Sequence, residues 1–295
     1  MLRSSLRIGW QLILVGSAIA AVQSRAASIT QLQKALTFHA SFDQGVNADF
    51  AKGDKRLFTG LRPGNQSEAT PGLNTNDKTA RLKTGGLHGG ALQFKARDAK
   101  WIFFAGKENV AFSSKDWSGT VSVWLQLDPE KDLDPGFTDP IQLTPRRWND
   151  AAFFVDFDKE GDPRDFRLGA FPDLSTWNAD GKNVNDIPED QRPLTKVSAP
   201  PFDRGKWTHV AFTWERFNTG EKDGVAKLYL DGKLHGTVAG WEQTYTWNEN
   251  EELRLFLGLN YIGLLDEVSC FNRALSADEV RTVSELGSKI SSLVP

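Results

Sequence analysis

Residues 207–214 read WTHVAFTW, residues 227–233 read KLYLDGK, and residues 263–276 read GLLDEVSCFNRALS. In the first stretch Val210, Phe212 and Trp214 alternate with small or polar residues, which is the period of a strand that buries one face. The second stretch alternates in the same way and ends at Asp231 and Gly232, a pair that favours a two-residue hairpin turn. These stretches therefore predict antiparallel strands joined by tight turns.

Two further apolar segments, GGALQF at 89–94 and GTVSVWL at 119–125, complete the pattern. Spaced in this way, the segments resemble the laminin-G-like branch of the concanavalin A-like lectin/glucanase superfamily over about residues 35–280. The resemblance implies an all-β fold, a two-sheet antiparallel jelly-roll sandwich with a short C-terminal helix. It does not specify a ligand, because this scaffold carries lectins, hydrolases, lyases and adhesion domains alike.

Alternating or apolar runs bounded by turn-forming residues predict the individual strands. We expect strands at 35–42, 91–95, 101–104, 120–127, 151–158, 165–171, 207–214, 225–230, 233–238, 253–259 and 262–271. The intervals 43–88 and 172–206 are rich in turn formers and are expected to be long surface loops. Ser276 and Glu279 form a capping-box pattern ahead of an apolar stripe, which predicts a closing helix that ends at Gly287.

The N-terminus has the pattern of an export signal. Arg3 and Arg7 precede an apolar run, and small residues stand before a cleavage point after Ala26. We therefore expect a signal peptide at 1–26, a linker at 27–34 and one laminin-G-like domain at 35–290, with a secreted, periplasmic or cell-envelope location. The apolar run is too short and too interrupted for a membrane span, so none is expected after cleavage.

The composition excludes some classes of function. The chain has 35 basic and 38 acidic side chains and a net charge of −3, so it offers no basic footprint for nucleic acid. Cys270 is the single cysteine, which excludes an intrachain disulfide. Its place in an apolar strand predicts a buried, unreactive thiol. Nucleophile-elbow, phosphate-loop and dinucleotide motifs are also absent from the sequence, and this favours a non-catalytic role.

Four of the ten tryptophans lie among turn formers and charges instead of in strand patterns: Trp148, Trp177, Trp241 and Trp247. A flat indole face stacks on the C–H face of a sugar, while neighbouring polar groups such as Arg147 bind its hydroxyls. This combination predicts a carbohydrate platform at loops of the sandwich. Anchoring of the loops by half-buried tryptophans is the alternative.

Asp266 is the residue for which a metal is expected. It shares strand parity with Val268 and Cys270, so a regular strand would direct it towards the apolar side, where a carboxylate needs hydrogen bonds or a cation. The family resemblance implies a structural calcium ion between Asp266, in the last strand, and Asp43, near the first. The alternative is that Asp266 accepts backbone N–H groups or pairs with Arg273.

Asp156, Asp158 and Glu160 alternate along one strand and form the third candidate group. Superfamily glycosidases carry a similar run, in which one carboxylate attacks the sugar and another donates the proton. Here the first position is Asp instead of Glu, and the run ends in a turn at Gly161. A calcium loop is a second interpretation, but Arg167 stands where its bidentate Glu is needed.

These patterns together favour an exported carbohydrate-binding or adhesion module without catalytic residues, whose partner is a polysaccharide or glycan. The alternatives are a polysaccharide hydrolase or lyase of the same superfamily, a protein-binding cell-envelope domain, and a structural surface component with no small ligand. The sequence does not decide the oligomeric state.

Overall fold

A computed structural model describes residues 28–60, 68–74, 78–247 and 253–295 of the protein. The predicted signal peptide, residues 1–26, lies outside the described residues. The fold is the predicted two-sheet antiparallel sandwich with a C-terminal helix.

Nine strands make the first sheet, sheet A. They are β1 (Leu36–Ala40), β2 (Phe50–Ala51), β5 (Thr79–Leu82), β6 (Ala91–Phe94), β8 (Trp117–Gln126), β13 (Thr208–Phe217), β14 (Gly224–Leu230), β15 (Lys233–Trp241) and β17 (Gly263–Phe271). Their order is β15-β14-β13-β8-β17-β1-β2, and β6 pairs with both β17 and β5. The long strand β17 therefore lies between β8 on one edge and the pair β1 and β6 on the other.

Eight strands make the second sheet, sheet B. They are β3 (Leu57–Gly60), β4 (Thr70–Pro71), β7 (Trp101–Ala105), β9 (Thr138–Leu143), β10 (Ala152–Phe157), β11 (Phe166–Phe171), β12 (Leu194–Val197) and β16 (Arg254–Leu259). Their order is β12-β11-β10-β9-β16-β7-β3-β4.

Helical segments occupy the chain ends and two loops. They are α1 (28–35), α2 (Pro129–Asp132), α3 (Leu174–Trp177), α4 (Ala277–Leu286) and the 3₁₀ turns Val184–Asp186, Glu189–Gln191 and Gly287–Leu293. The capping box of α4 is present as expected, with Ser276 Oγ accepting from Glu279 N. None of the described helices is long and apolar enough to cross a bilayer.

The main core lies between the sheets and follows the predicted alternation. Val210, Phe212 and Trp214 of β13 belong to this core, and the rings of Phe212 and Trp214 lie 4.9 Å and 5.1 Å from that of Phe153 of β10. Asp231 and Gly232 both have positive φ, 49° and 74°, which confirms the predicted hairpin turn between β14 and β15. Cys270 is fully buried in this core, as expected.

A second core lies on the outer face of sheet A. The stripe of α4 packs there with α1 and the last 3₁₀ turn against Ala211, Tyr229 and Phe271. Leu32 of α1 is fully buried in this cluster. The described part of the segment predicted as a linker, residues 28–34, is thus helical and packs as part of the fold.

The loop predictions for 43–88 and 172–206 need correction. The first interval contributes β2, β3, β4 and β5, and the second contributes α3 and β12. Strand β9 was also not predicted; it contains Pro140, and proline is unusual in a strand interior. In the structure Pro140 lies at a bulge, where β9 places an extra residue opposite Asp156 between the pairs Val155–Ile141 and Phe157–Thr138.

Candidate functional site

The outer face of sheet B carries a row of aromatic side chains that runs across the strands. The strand register places Phe58, Phe103 and Phe256 opposite one another on adjacent strands. Gln142 then separates Phe256 from Phe154, and Gly169 lies opposite Phe154 at the end of the row. The β10–β11 end of the row continues into a separate apolar cluster with Phe171 and Trp177. This cluster is the base on which the predicted tryptophan site is built.

Trp148 is the exposed member of the site. Its side chain lies in the β9–β10 connection and is 45% exposed. The indole stands edge-on against Phe171, with centroids 5.6 Å apart and planes at 76°. A tight turn, in which Asp150 N donates to Arg147 O at 3.1 Å, presents Trp148 and the exposed Arg147 to solvent. Among the described tryptophans, Trp148 is the one exposed ring, while Trp101, Trp207 and Trp241 are half-buried.

An ion-pair node fixes the loop that carries Trp148. Arg146 Nη1 lies 3.1 Å from Asp173 Oδ1, and Arg146 Nη2 donates to Thr246 O at 2.9 Å. Asp173 also accepts from Thr246 Oγ1 at 2.5 Å. Because Asp173 and Arg146 are largely buried, these bonds hold three separate segments together.

Trp177 lies beneath this loop and lines a cleft. It is only 8% exposed, its Nε1 donates to Asn149 O at 2.9 Å, and its ring meets Phe171 with centroids 5.1 Å apart. The cleft has a volume of about 460 Å³ and is mostly polar. Its lining comes from α3 and the two following turns: Thr176, Trp177, Asn178, Ala179, Asp180, Lys182, Asp186, Ile187, Pro188 and Gln191.

The two remaining predicted tryptophans lie elsewhere in the fold. Trp241, at the end of β15, is half-buried and packs against the cluster of Phe171 and Trp177. Trp247 is 5% exposed and belongs to the inter-sheet core, where its ring lies 5.4 Å from Trp117. The structure therefore brings Trp148, Trp177 and Trp241 together and separates Trp247 from them.

Asp43 and Asp266 both bind the glycine-rich loop that precedes β6. Asp43 Oδ1 accepts from Gly90 N at 2.8 Å, and Asp266 Oδ2 accepts from Leu87 N at 2.8 Å. Asp266 Oδ1 accepts from the N–H of the next residue, also at 2.8 Å. Acceptance of backbone N–H groups, one of the alternatives for Asp266, is present. The Arg273 pairing is not, because Arg273 binds Glu279 at 2.6 Å.

The strand parity expected for Asp266 is wrong. Glu267 has a φ of 53° and forms a bulge, so the register against β8 shifts between Asp266 and Ser269. Asp266 consequently faces outward with Trp124, away from the core that holds Val268. Burial raises the pKa of Asp266 to about 8, and the charge of Asp43 adds to this while the backbone N–H groups oppose it.

Glu267 lies buried beside His39, 3.4 Å from its Nε2. Burial raises the pKa of Glu267 to about 9 and lowers the pKa of His39 to about 4, so at neutral pH both side chains are uncharged. Neither carboxyl oxygen of Glu267 makes a hydrogen bond. Within the described ranges, no three acidic, histidine or cysteine side chains lie close enough together to hold a metal ion.

Two of the three alternating carboxylates, Asp156 and Asp158, lie beside Arg167, and Asp158 Oδ1 is 3.7 Å from Arg167 Nη1. Asp156 is buried and forms a two-bond ion pair with Arg167, whose Nε lies 2.9 Å from Asp156 Oδ1. Burial raises the pKa of Asp156 to about 6, and Arg167 opposes the rise. Glu160 is exposed at the hairpin tip, 3.2 Å from Lys159. Arg167 thus neutralises the first carboxylate of the run.

Sequence reasoning missed two parts of the site. Phe171 was assigned to a strand without a role, although both Trp148 and Trp177 rest on it. Asp173 was not singled out. Its position directly after a strand and before a helical turn could have suggested a cap, but its partners Arg146 and Thr246 are distant in sequence.

Comparison with known proteins identifies the family and the fold of the chain. The sequence profile of the concanavalin A-like lectin/glucanases superfamily matches residues 104–281. No curated protein matches the chain.

Three solved structures illustrate the likeness of fold. Domain 4 of AbnA, an extracellular arabinanase of Geobacillus stearothermophilus in complex with arabinotriose, superposes with a TM-score of 0.51 at 18% identity, covering 85% of this chain and 98% of that one. The botulinum neurotoxin serotype D binding domain gives 0.53 at 14% identity, with 88% and 52% covered. The binding domain of botulinum neurotoxin DC, in complex with SialylT, gives 0.52 at 13%, with 86% and 52% covered. The chain spans about half the length of these toxin domains.

Proposed function

The chain belongs to the concanavalin A-like lectin/glucanases superfamily, and on that premise we propose that it is a carbohydrate-binding module whose ligand stacks on Trp148. The observation that carries the proposal is the 45% exposed indole of Trp148, held on Phe171 beside a polar cleft. An exposed indole in water buries apolar area when a sugar ring covers it, and hydroxyl groups of the same sugar can bind the polar side chains nearby.

The site is pre-organised for such a ligand. The Arg146–Asp173 node and the Trp177 Nε1 bond to Asn149 fix the loop on both sides of Trp148. A fixed platform loses little conformational entropy on binding, which favours affinity. The arabinanase domain and the toxin domain, both solved with bound glycans, support a sugar as the class of ligand.

Glycan-array binding followed by titration with tryptophan fluorescence tests this function. Trp148→Ala should weaken binding of the selected glycan by ~1–3 kcal/mol, the usual contribution of a stacking anchor. Phe137→Ala is the matched control, because Phe137 is 44% exposed but lies at the other end of β9, over Arg167. Equal loss in both variants, or no glycan bound by the parent protein, contradicts the proposal.

We also propose that the module is not catalytic. In support of this, both oxygens of Asp156 are engaged by Arg167, whereas Glu160 is solvated at the hairpin tip. A glycosidase needs one free carboxylate and one proton donor on either side of the scissile bond. Release of reducing ends from any glycan that binds, if lost in Asp156→Asn, would reject this proposal and favour the hydrolase alternative.

Export and calcium binding are the two remaining proposals. Export follows from the pattern of residues 1–26, and N-terminal sequencing of protein recovered outside the cytoplasm tests it. For calcium, Asp43 and Asp266 provide the hard oxygen donors that the ion prefers, and both bind the same glycine-rich loop. A bound cation would favour the ionised form of Asp266, and so oppose the rise in pKa that burial and the charge of Asp43 cause.

A further inference from the structure

Arg147 differs from the other arginines that the structure describes. Each of the others contacts a carboxylate, a backbone carbonyl or an aromatic ring. Within the described part of the chain, only the Arg147 guanidinium makes no hydrogen bond and no ion pair, and it lies exposed directly beside Trp148. A free guanidinium next to an exposed indole offers charge and stacking on one turn.

The acidic groups near Arg147 are already in use. Asp150 Oδ1 accepts from Leu174 N at 2.9 Å and lies 3.7 Å from Arg146 Nη1. Asp173 is held by Arg146 and by the neighbouring Thr246. Both nearby carboxylates are therefore directed at Arg146, and the positive charge of Arg147 is left without a counter-ion from its own loop.

We propose that the ligand of this module is an acidic polysaccharide, whose carboxylate or sulfate group binds the Arg147 guanidinium while its sugar ring stacks on Trp148. The inference rests on the proposed carbohydrate-binding function. A guanidinium fork binds planar carboxylate or sulfate oxygens by two parallel N–H bonds, which neutral hydroxyl groups do not match. An unpaired arginine at the platform thus selects for charged sugars over neutral ones.

The charges of the cleft determine how the bound polysaccharide is oriented. Asp186 is exposed on the cleft wall, and Asp180 lies there beside Lys182, with 3.4 Å between their charged atoms. Lys182 compensates Asp180, so the charge of Asp186 is the one that repels an anionic group. The charged substituent therefore lies on the Arg147 side, and the hydroxyl-bearing part of the ligand points towards the cleft. A polysaccharide in which charged sugars alternate with neutral sugars therefore fits this site better than one that carries an anionic group on every sugar.

Calorimetric titration of the parent protein with oligosaccharides of matched length tests the inference. The arms are a uronic-acid oligomer, a sulfated oligomer and a neutral oligomer with the same linkage where available. We expect the acidic oligomers to bind with an affinity at least about 10-fold higher than that of the neutral oligomer. The affinity for the acidic oligomers should fall as the salt concentration rises. The arm that binds tighter identifies the carboxylate or the sulfate as the natural group.

Variants of the platform separate this inference from the proposed function. Arg147→Gln should abolish the preference for acidic oligomers, whereas Arg147→Lys should retain part of the preference, because it keeps the charge but not the fork. Arg281→Gln on α4 is the matched control for charge, and it should change neither affinity. Equal affinity of the parent for acidic and neutral oligomers overturns the inference alone. Failure of every glycan to bind overturns the proposed function as well.

Discussion

Phe154 fills the space that a side chain at Gly169 would occupy. The two residues lie opposite each other on β10 and β11, and a Cβ on Gly169 would stand 2.3 Å from Phe154 Cζ. The Phe154 ring stacks on Phe171, with centroids 5.7 Å apart and planes at 11°, and Phe171 supports both Trp148 and Trp177. The absence of a side chain at Gly169 therefore allows the Phe154 ring to lie over β11 and to stack on Phe171, which supports the candidate site.

Gly169→Ala should consequently destabilise the domain. The added methyl group would force the Phe154 ring to move, and overpacking of this kind lowers the free energy of unfolding by ~1–3 kcal/mol. Urea denaturation measures the change. Gly45→Ala is the control, because a Cβ there meets nothing within 4 Å. Equal unfolding midpoints for the two variants would contradict this prediction, because they would show that the Phe154 ring can move at no cost in stability.

Trp247→Ala and Trp148→Ala should behave in opposite ways, although sequence context groups the two residues. Trp247 packs on Trp117 in the core, so its removal should lower the free energy of unfolding by ~3–5 kcal/mol through the cavity that it leaves. Trp148 is largely exposed, and its removal should change stability by about 0.5 kcal/mol or less. Urea denaturation of both variants decides this, and similar losses of stability would contradict the placement of the two rings.

The two tryptophans also show where sequence reasoning stops. Polar neighbours such as Thr246 indicate a turn or loop, which is a local property of the chain. Whether the ring then turns inward depends on distant partners: Trp117 and Phe112 receive Trp247, whereas Phe171 supports only the edge of Trp148. The composition of a loop therefore indicates that a tryptophan lies outside the regular strands, but not whether its ring is exposed.

The fold itself was predictable wherever one face of a strand is strongly apolar. β13 and β14 alternate over most of their length, so their parity in the structure matches the sequence. The two-residue strands β2 and β4 carry too few side chains to show any period. The bulge that turns Asp266 outward occurs at Glu267, where no glycine announces the positive φ.

Saturating calcium should raise the melting temperature if Asp43 and Asp266 bind the ion. A ligand at 100 times its Kd adds about 2.7 kcal/mol to the free energy of unfolding. Asp266→Asn should abolish the rise, because it removes the charge while keeping an oxygen that can accept from Leu87 N. Thermal unfolding in calcium and in chelator measures this, with the exposed Asp278→Asn on α4 as control. Identical melting curves for the parent protein in both conditions would reject the calcium proposal.

His209 should make the protein less stable as the solution becomes acidic. It is fully buried on β13, its Nε2 lies 2.9 Å from Ser122 Oγ, and burial lowers its pKa to about 4. In the unfolded chain the pKa returns to about 6.5, so between these values the unfolded state binds more protons. Stability is therefore retained above the unfolded pKa and lost as the pH falls towards the folded one. From about pH 7.5 to pH 5 this residue should account for a loss of about 2 kcal/mol.

The variant His209→Gln isolates this contribution, because glutamine can still reach the Ser122 hydroxyl but does not titrate. Its free energy of unfolding should fall less than that of the parent protein over the same pH interval, by about 2 kcal/mol. Asp156 titrates in the opposite sense, since burial raises its pKa to about 6, but it is present in both proteins and cancels in the comparison. Urea denaturation at the two pH values provides the four free energies. Parallel losses in parent and variant would show that His209 keeps an ordinary pKa in the folded protein and that water reaches its ring.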